Sequence, residues 1–166
     1  MTLLVRSITP DDLKLVSEVL GAAWGGVTVM ALSRGEMVDA ARQPGFLVFD
    51  GDDLAGLITY IERSDGVEVV TINALHQGKG VGALLLDAVR DAARLSGASR
   101  VWLTTTNDNT TALRFYQRYG FDLAALHRNA ADRARERKPG IPREKDGIPI
   151  RHYLELELAL EHPPGS

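Results

Sequence analysis

Cysteine is absent from this 166-residue chain, which removes disulfides, thiolate nucleophiles and cysteine metal sites together. Four histidines are present, His76, His127, His152 and His162, and none stands at a metal-ligand spacing, so no metal site is expected. No window approaches the ~18 apolar residues that a membrane-spanning helix needs. The start, MTLLVRSITPDD, lacks the basic n-region and apolar run of a secretory signal. Excess positive charge is missing as well: the formal net charge is −3, which gives no global pull toward nucleic acid or an anionic membrane. The expectation is a cytoplasmic protein with neither of those partners.

What the chain does have is core material. Hydrophobic residues make up 45% of it, and the length suits one compact domain over residues 1–166. Residues 3–8 read as a strand. TPDD then gives a helix start, with Thr9 as cap, Pro10 at the first position and Asp12 three residues on. Leu13, Val16 and Leu20 continue the stripe. The segment 24–44 is ambiguous and is expected to close with a short helix over 36–42. FLVFD (46–50) and LAGLITYIE (54–62) form a hairpin about GDD, and VEVVTINAL (67–75) follows SDG as a third strand. Apolar residues from Val81 to Leu95 recur at helical spacing. RVWLTTT (100–106) is a strand, Asn107-Asp108-Asn109 supplies caps for a helix ending at Gly120, and 121–126 is a strand. Residues 128–149 read as a polar excursion, HYLELELAL (152–160) as a half-buried alternating strand, and HPPGS as a loose tail. The fold class is mixed α/β: a largely antiparallel N-terminal half, parallel pairing by right-handed crossover after the glycine loop, and flanking helices. The alternating 152–160 strand could serve as a sheet edge and allow a homodimer.

QGKGVGALLL (77–86) places Gly78, Gly80 and Gly82 between a strand and a helix. Glycine costs ~1 kcal/mol against alanine in a helix, so a ligand that must approach the backbone is the simplest reason for them. Consecutive N–H groups and the helix dipole there suit a phosphate or diphosphate. A Walker A loop is excluded because Lys79 stands between glycines with no Ser or Thr after it. Gly78, Gly80 and Ala83 satisfy G-x-G-x-x-[GA], but three antiparallel-looking strands precede it and Thr-Thr-Thr ends the next one, unlike a dinucleotide fold. The third pattern is [QR]-x-x-G-x-[GA], carried by Gln77, Gly80 and Gly82.

Downstream stands N-x-x-A-x-x-F-Y-x-x-x-G-F, carried by Asn109, Ala112, Phe115, Tyr116, Gly120 and Phe121. With both segments in this order the sequence resembles the GNAT superfamily of acetyl-CoA-dependent N-acetyltransferases. The resemblance implies that the backbone of Gln77, Gly78, Lys79, Gly80, Val81 and Gly82 approaches the CoA diphosphate, with acetyl-CoA as co-substrate. It implies that Ile72, Asn73 and Ala74 pair with the pantetheine arm; Ala74 stands where many members have proline. Asn109 would contact the pantetheine, cap its helix, or do both. Tyr116 occupies the position that protonates the CoA thiolate, although core packing explains a tyrosine there too. Glu68 stands where many members carry a general base. Plain alternation puts it on one strand face with Val70 and Ile72, and a solvated carboxylate is the other reading. Segments 24–44 and 128–149 would shape the acceptor side, where Trp24 and the basic stretch 128–145 are candidates. The implied activity is acetyl transfer to a primary amine of a small molecule, with a protein N-terminus or lysine as the variant acceptor. An acyl-CoA-binding sensor without turnover is the alternative.

Overall fold

The computed structural model describes residues 2–161. In chain order it contains β1 (Leu3–Ser7), α1 (Leu13–Ala23), the short β2 (Val29–Ala31) and β3 (Met37–Asp39), β4 (Gly45–Asp50), β5 (Asp53–Arg63), β6 (Gly66–Ala74) and α2 (Val81–Leu95). Then follow β7 (Arg100–Thr106), α3 (Thr110–Tyr119), β8 (Asp122–His127), α4 (Ala130–Arg137), β9 (Glu144–Lys145), β10 (Ile148–Pro149) and β11 (Tyr153–Ala159). The tail HPPGS lies outside the described residues. The chain divides into two compact units.

The first unit is Asp39–Val101 with the described parts of Met1–Met30 and Leu160–Ser166. Its strands follow the order β1-β4-β5-β6-β7, the last contributing Arg100 and Val101. β1 to β6 pair antiparallel, with Leu3 opposite Asp50, Asp50 opposite Asp53 and Arg63 opposite Gly66. β7 starts beside the start of β6, where Arg100 Nε donates to the Asp65 carbonyl at 3.2 Å. The α2 crossover between them therefore gives the parallel pairing expected after the glycine loop. α2 buries Val81, Leu85, Leu86, Val89 and Ala93. It lies close over β5: a Cβ on Gly56 would come within 2.5 Å of Val81 Cγ1 and 2.8 Å of the Asn73 carbonyl.

TPDD does start a helix. The Thr9 N–H donates to Asp12 Oδ2 at 2.7 Å, and the first turn, Pro10–Asp12, is 3-10. The helix expected over 36–42 is not formed. β3 and a single 3-10 turn, Ala40–Arg42, take its place, with Asp39 accepting from the Ala41 N–H. Seven residues closed by Pro44-Gly45 leave little length to repay the cost of nucleating a helix.

β6 departs from plain alternation. Tyr60 pairs with Val69 and Thr59 with Thr71, so Val70 is a bulge with no partner on β5. Side chains after it change face. Glu68 therefore shares its face with Thr71 and Asn73, not with Val70 and Ile72. Two side-chain pairs across β5 and β6 agree, Arg63 with Glu68 and Thr59 with Thr71.

The second unit, Ala31–Val38 and Trp102–Ala159, has the strand order β7-β11-β8. β11 is thus flanked on both sides, and β8 is the last strand, which corrects the expectation that 152–160 forms an edge. The register shift between Glu155 and Leu156 skips Ala124, so the extra residue lies on β8 and β11 keeps its alternation. Glu155 shares the face of Tyr153 and is buried there, meeting His127 Nε2 at 2.9 Å. The polar excursion is ordered. α4 presents Ala130, Ala131 and Ala134 to Ile150 and Tyr153, with Ala31 and Ile141 packed against them. Buried Arg135 spans the loop below, donating to the carbonyls of Ile141, Pro142 and Ile150.

Candidate active site

The first unit holds the strand, loop and helix start to which the glycines belong. Past Ala74 the chain turns, with the N–H groups of Leu75 and His76 both on the Ala55 carbonyl at 2.7 and 3.2 Å. Gln77 Nε2 donates back to the Ala74 carbonyl at 2.9 Å, so its side chain closes the turn. Gly78 and Gly80 have φ of 73° and 74°, a conformation that costs other L-residues roughly 1–2 kcal/mol. Gly80 caps α2 without a side-chain bond, and its carbonyl takes the Leu84 N–H at 3.1 Å. The N–H groups of Val81, Gly82 and Ala83 thus have no partner inside the helix, and the positive end of its dipole adds to them. A Cβ at Gly78 or Gly80 would meet nothing within 4 Å, so the glycines are not required by the protein's own packing. The Val81 side chain is buried and offers a ligand only its N–H. Lys79 Nζ and His76 Nδ1 lie 3.9 and 3.7 Å from Asp50 Oδ2, so the loop's cation already has a carboxylate beside it. Chemically this is an anion cradle of the kind that holds phosphates.

On β6 just before the loop, Ile72, Asn73 and Ala74 are half-buried. Asn73 Oδ1 is buried with no hydrogen-bond partner. Glu68 is only 1% exposed. Burial favours its neutral form, whereas the Arg63 guanidinium, 2.8 Å away, favours its charge. Glu68 is therefore not a solvated carboxylate, and it does not share its face with Val70 and Ile72 as plain alternation suggested.

In the second unit, Asn109 caps α3 by accepting the Ala112 N–H at 3.2 Å. Tyr116 is the one buried residue of that helix. Its ring lies 5.4 Å from Phe115 and 5.8 Å from Phe121, and its carbonyl takes the N–H groups of Gly120 and Phe121. Burial pushes its phenol up to about 12, so the hydroxyl is a donor throughout the neutral range.

Two residues here do structural work that the motifs did not announce. Asn107 Oδ1 accepts from the N–H groups of Arg151 and His152 at 3.0 and 2.9 Å, and its Nδ2 donates to the Pro149 carbonyl. Arg135 pins the 141–150 stretch. Asn107 stands among cap residues and Arg135 in a basic run, so neither carried a signal separate from its neighbours. Of the expected site residues, Glu68, Ile72, Asn73, Ala74 and Gln77–Gly82 follow one another along β6, its loop and α2, while Asn109 and Tyr116 share α3. Trp24 is 47% exposed just beyond α1. Among the described residues no helix is long and apolar enough to cross a membrane.

Residues 23–121 match the acetyltransferase (GNAT) family. The Bacillus subtilis (strain 168) protein YxbD is 36% identical over 97% of this chain and 100% of its own length. A streptothricin acetyltransferase of Streptomyces lavendulae is 38% identical over 36% of this chain and 32% of that protein. Among solved structures, a Bacillus subtilis acetyltransferase in complex with CoA has a TM-score of 0.68 at 22% identity, covering 96% of this chain and 100% of that one.

Proposed function

The chain belongs to the acetyltransferase (GNAT) family, and from that premise we propose that it transfers the acetyl group of acetyl-CoA to a primary amine of a small molecule, the whole chain acting as one catalytic domain. The observation that carries this is the glycine loop. Two left-handed glycines, at which a Cβ would meet no protein atom within 4 Å, lead into a helix start whose first N–H groups lack helical partners, and the family match supports CoA as the ligand of that cradle. Gln77 to Gly82 would hold the CoA diphosphate. The backbone of Ile72, Asn73 and Ala74 would pair with the pantetheine arm, and Asn109, whose oxygen is engaged as a cap, would offer its amide N–H₂.

Two proton movements frame the chemistry. An alkyl amine with a pKa of ~10 must lose a proton before it attacks the thioester. Glu68 is the proposed acceptor of that proton. The Arg63 guanidinium beside it favours the carboxylate form, and its burial means that the proton arrives through intervening water. The hydroxyls of Thr59 and Thr71, 2.6 Å apart on the same face, are suited to extend such a relay. At the leaving group, Tyr116 supplies the hydrogen bond. Against a cysteine-like thiol of ~8.5, full transfer from a phenol at about 12 runs uphill by about 5 kcal/mol. Hydrogen-bond donation to the departing thiolate is the cheaper service.

The test is a thermal-shift series with acetyl-CoA, CoA, NAD and ATP, followed by thiol release with a panel of primary amines. A ligand at 100 times its Kd stabilises by about 2.7 kcal/mol, several degrees for a chain of this size. Shifts with acetyl-CoA and CoA alone, then amine-dependent thiol release, are expected. A shift with NAD alone would overturn the proposal, and acetyl-CoA binding without turnover on any amine would favour the sensor.

A further inference from the structure

The face of β6 turned away from α2 is polar in an unusual way. From the start of the strand toward its loop it carries Glu68, then Thr71, then Asn73, the bulge at Val70 having brought all three to one side. The first two are satisfied: Glu68 by Arg63, Thr71 by Thr59. Asn73 is not. Its Oδ1 is buried with no hydrogen-bond partner, although a buried acceptor left unpaired keeps none of the hydrogen bonds it would make to water. Leu57, opposite Asn73 on β5, brings only an apolar side chain to that face. Such an expense is unusual in a native fold and marks a group waiting for a donor that the chain does not supply.

We propose that Asn73 Oδ1 is the hydrogen-bond acceptor that positions the N–H of the acceptor amine, which makes Asn73 a binding residue for the second substrate as well as a backbone neighbour of the first. The inference rests on the acetyltransferase reading above. A pantetheine arm pairing with β6 uses backbone groups that point in the plane of the sheet. A strand side chain stands perpendicular to that plane and reaches what lies over the face. The ligand class is a primary amine with at least one N–H left after deprotonation. Held at Asn73, it lies at the loop end of the same polar face that leads through Thr71 to Glu68.

The experiment compares wild type, Asn73→Ala and Asn73→Asp in the full chain. n-Butylamine at pH 9 is the probe acceptor, and thiol release, acetyl-CoA affinity and thermal stability are the readouts. In Asn73→Ala the KM for n-butylamine should rise about ten-fold, the value of one well-placed hydrogen bond, with kcat and acetyl-CoA affinity nearly unchanged. Its Tm should stay level or increase, because an unsatisfied buried carbonyl is removed. Asn73→Asp keeps an oxygen in place and should hold KM near wild type. An unaltered KM in Asn73→Ala would refute the assignment, and so would a loss of acetyl-CoA affinity, which would give the oxygen to the pantetheine arm. A fall in Tm that Asn73→Asp does not restore would make the residue structural and refute it too. Failure of the wild type to bind acetyl-CoA or release thiol would instead remove the acetyltransferase reading, and this assignment with it.

Discussion

Arg63 and Glu68 form an ion pair of 2.8 Å between β5 and β6, with 15% and 1% of their side chains exposed. The two are diagonal neighbours on one face of the sheet, since the strands pair as Ile61 with Glu68 and Arg63 with Gly66. Removing one partner of a buried pair strands the other charge and costs about 3–5 kcal/mol, whereas replacing both by apolar residues is often neutral. Glu68→Gln should therefore melt well below wild type and turn over poorly. The double variant Arg63→Met with Glu68→Leu should recover most of the Tm. If Glu68 takes the amine's proton, the double variant stays slow, with turnover about 100-fold down. Recovery of turnover along with Tm would show that Glu68 serves the fold alone.

Tyr116→Phe removes one hydroxyl from a packed aromatic cluster and leaves both ring contacts in place. Acetyl-CoA affinity should hold within a few-fold while kcat falls about 100-fold. The phenol's pKa of about 12 also means that wild-type activity should show no alkaline limb from Tyr116 below about pH 11. Unchanged kcat in the Phe variant would leave Tyr116 only its packing role.

The cradle prediction turns on Gly80. A methyl there meets no protein atom within 4 Å and its φ is 74°, so Gly80→Ala should cost stability only through backbone strain, roughly 1–2 kcal/mol. Because the methyl points into the space proposed for the diphosphate, CoA affinity should fall at least ten-fold. Isothermal titration of both proteins with CoA decides it, and equal affinities would place the diphosphate elsewhere.

How far the sequence showed these parts depends on the chemistry of each. The glycine loop, the α3 cap at Asn109 and the stripe of α2 were legible because each relies on residue types at fixed spacing. The bulge at Val70 was not, since VEVVTINA contains no glycine or proline to announce it, yet it decides which residues share Glu68's face. α4 hid for another reason. Its buried side is Ala130, Ala131, Ala134 and the stem of Arg135, too small and too charged to read as a core stripe. The position of β11 between β7 and β8 is a long-range pairing that local pattern does not encode.

Arg135 gives that hidden helix a testable consequence. Its guanidinium donates to three backbone carbonyls, of Ile141, Pro142 and Ile150, and to Asp132. Arg135→Met keeps much of the stem and abandons those carbonyls, at about 1–3 kcal/mol for each that stays unsatisfied. Hydrogen exchange over residues 138–150 should accelerate strongly while β4 to β6 stay protected. Unchanged exchange would mean the hairpin holds itself.

The last prediction concerns acid. Asp12 accepts two hydrogen bonds from Arg6, each 2.8 Å, and another from the Thr9 N–H. The Arg6 guanidinium, ahead of any cost of burial, holds its carboxyl well below the usual carboxylate range. A group whose folded pKa is depressed stabilises the protein fully above its unfolded pKa, ~3.9 here, and that contribution fades as pH falls toward the folded value. Wild type should therefore be more stable than Asp12→Asn by a constant margin from about pH 8 to 5, by at least about 1 kcal/mol from the charge-assisted pair with Arg6 that the amide cannot keep. Below about pH 4 the margin should narrow steadily, because the wild-type carboxyl must release Arg6 to take up a proton while the amide has nothing to titrate. Urea melts of both proteins at pH 7, 5, 4 and 3 read this directly. A margin that persists undiminished at pH 3 would locate the stabilisation in packing, not in the charge on Asp12.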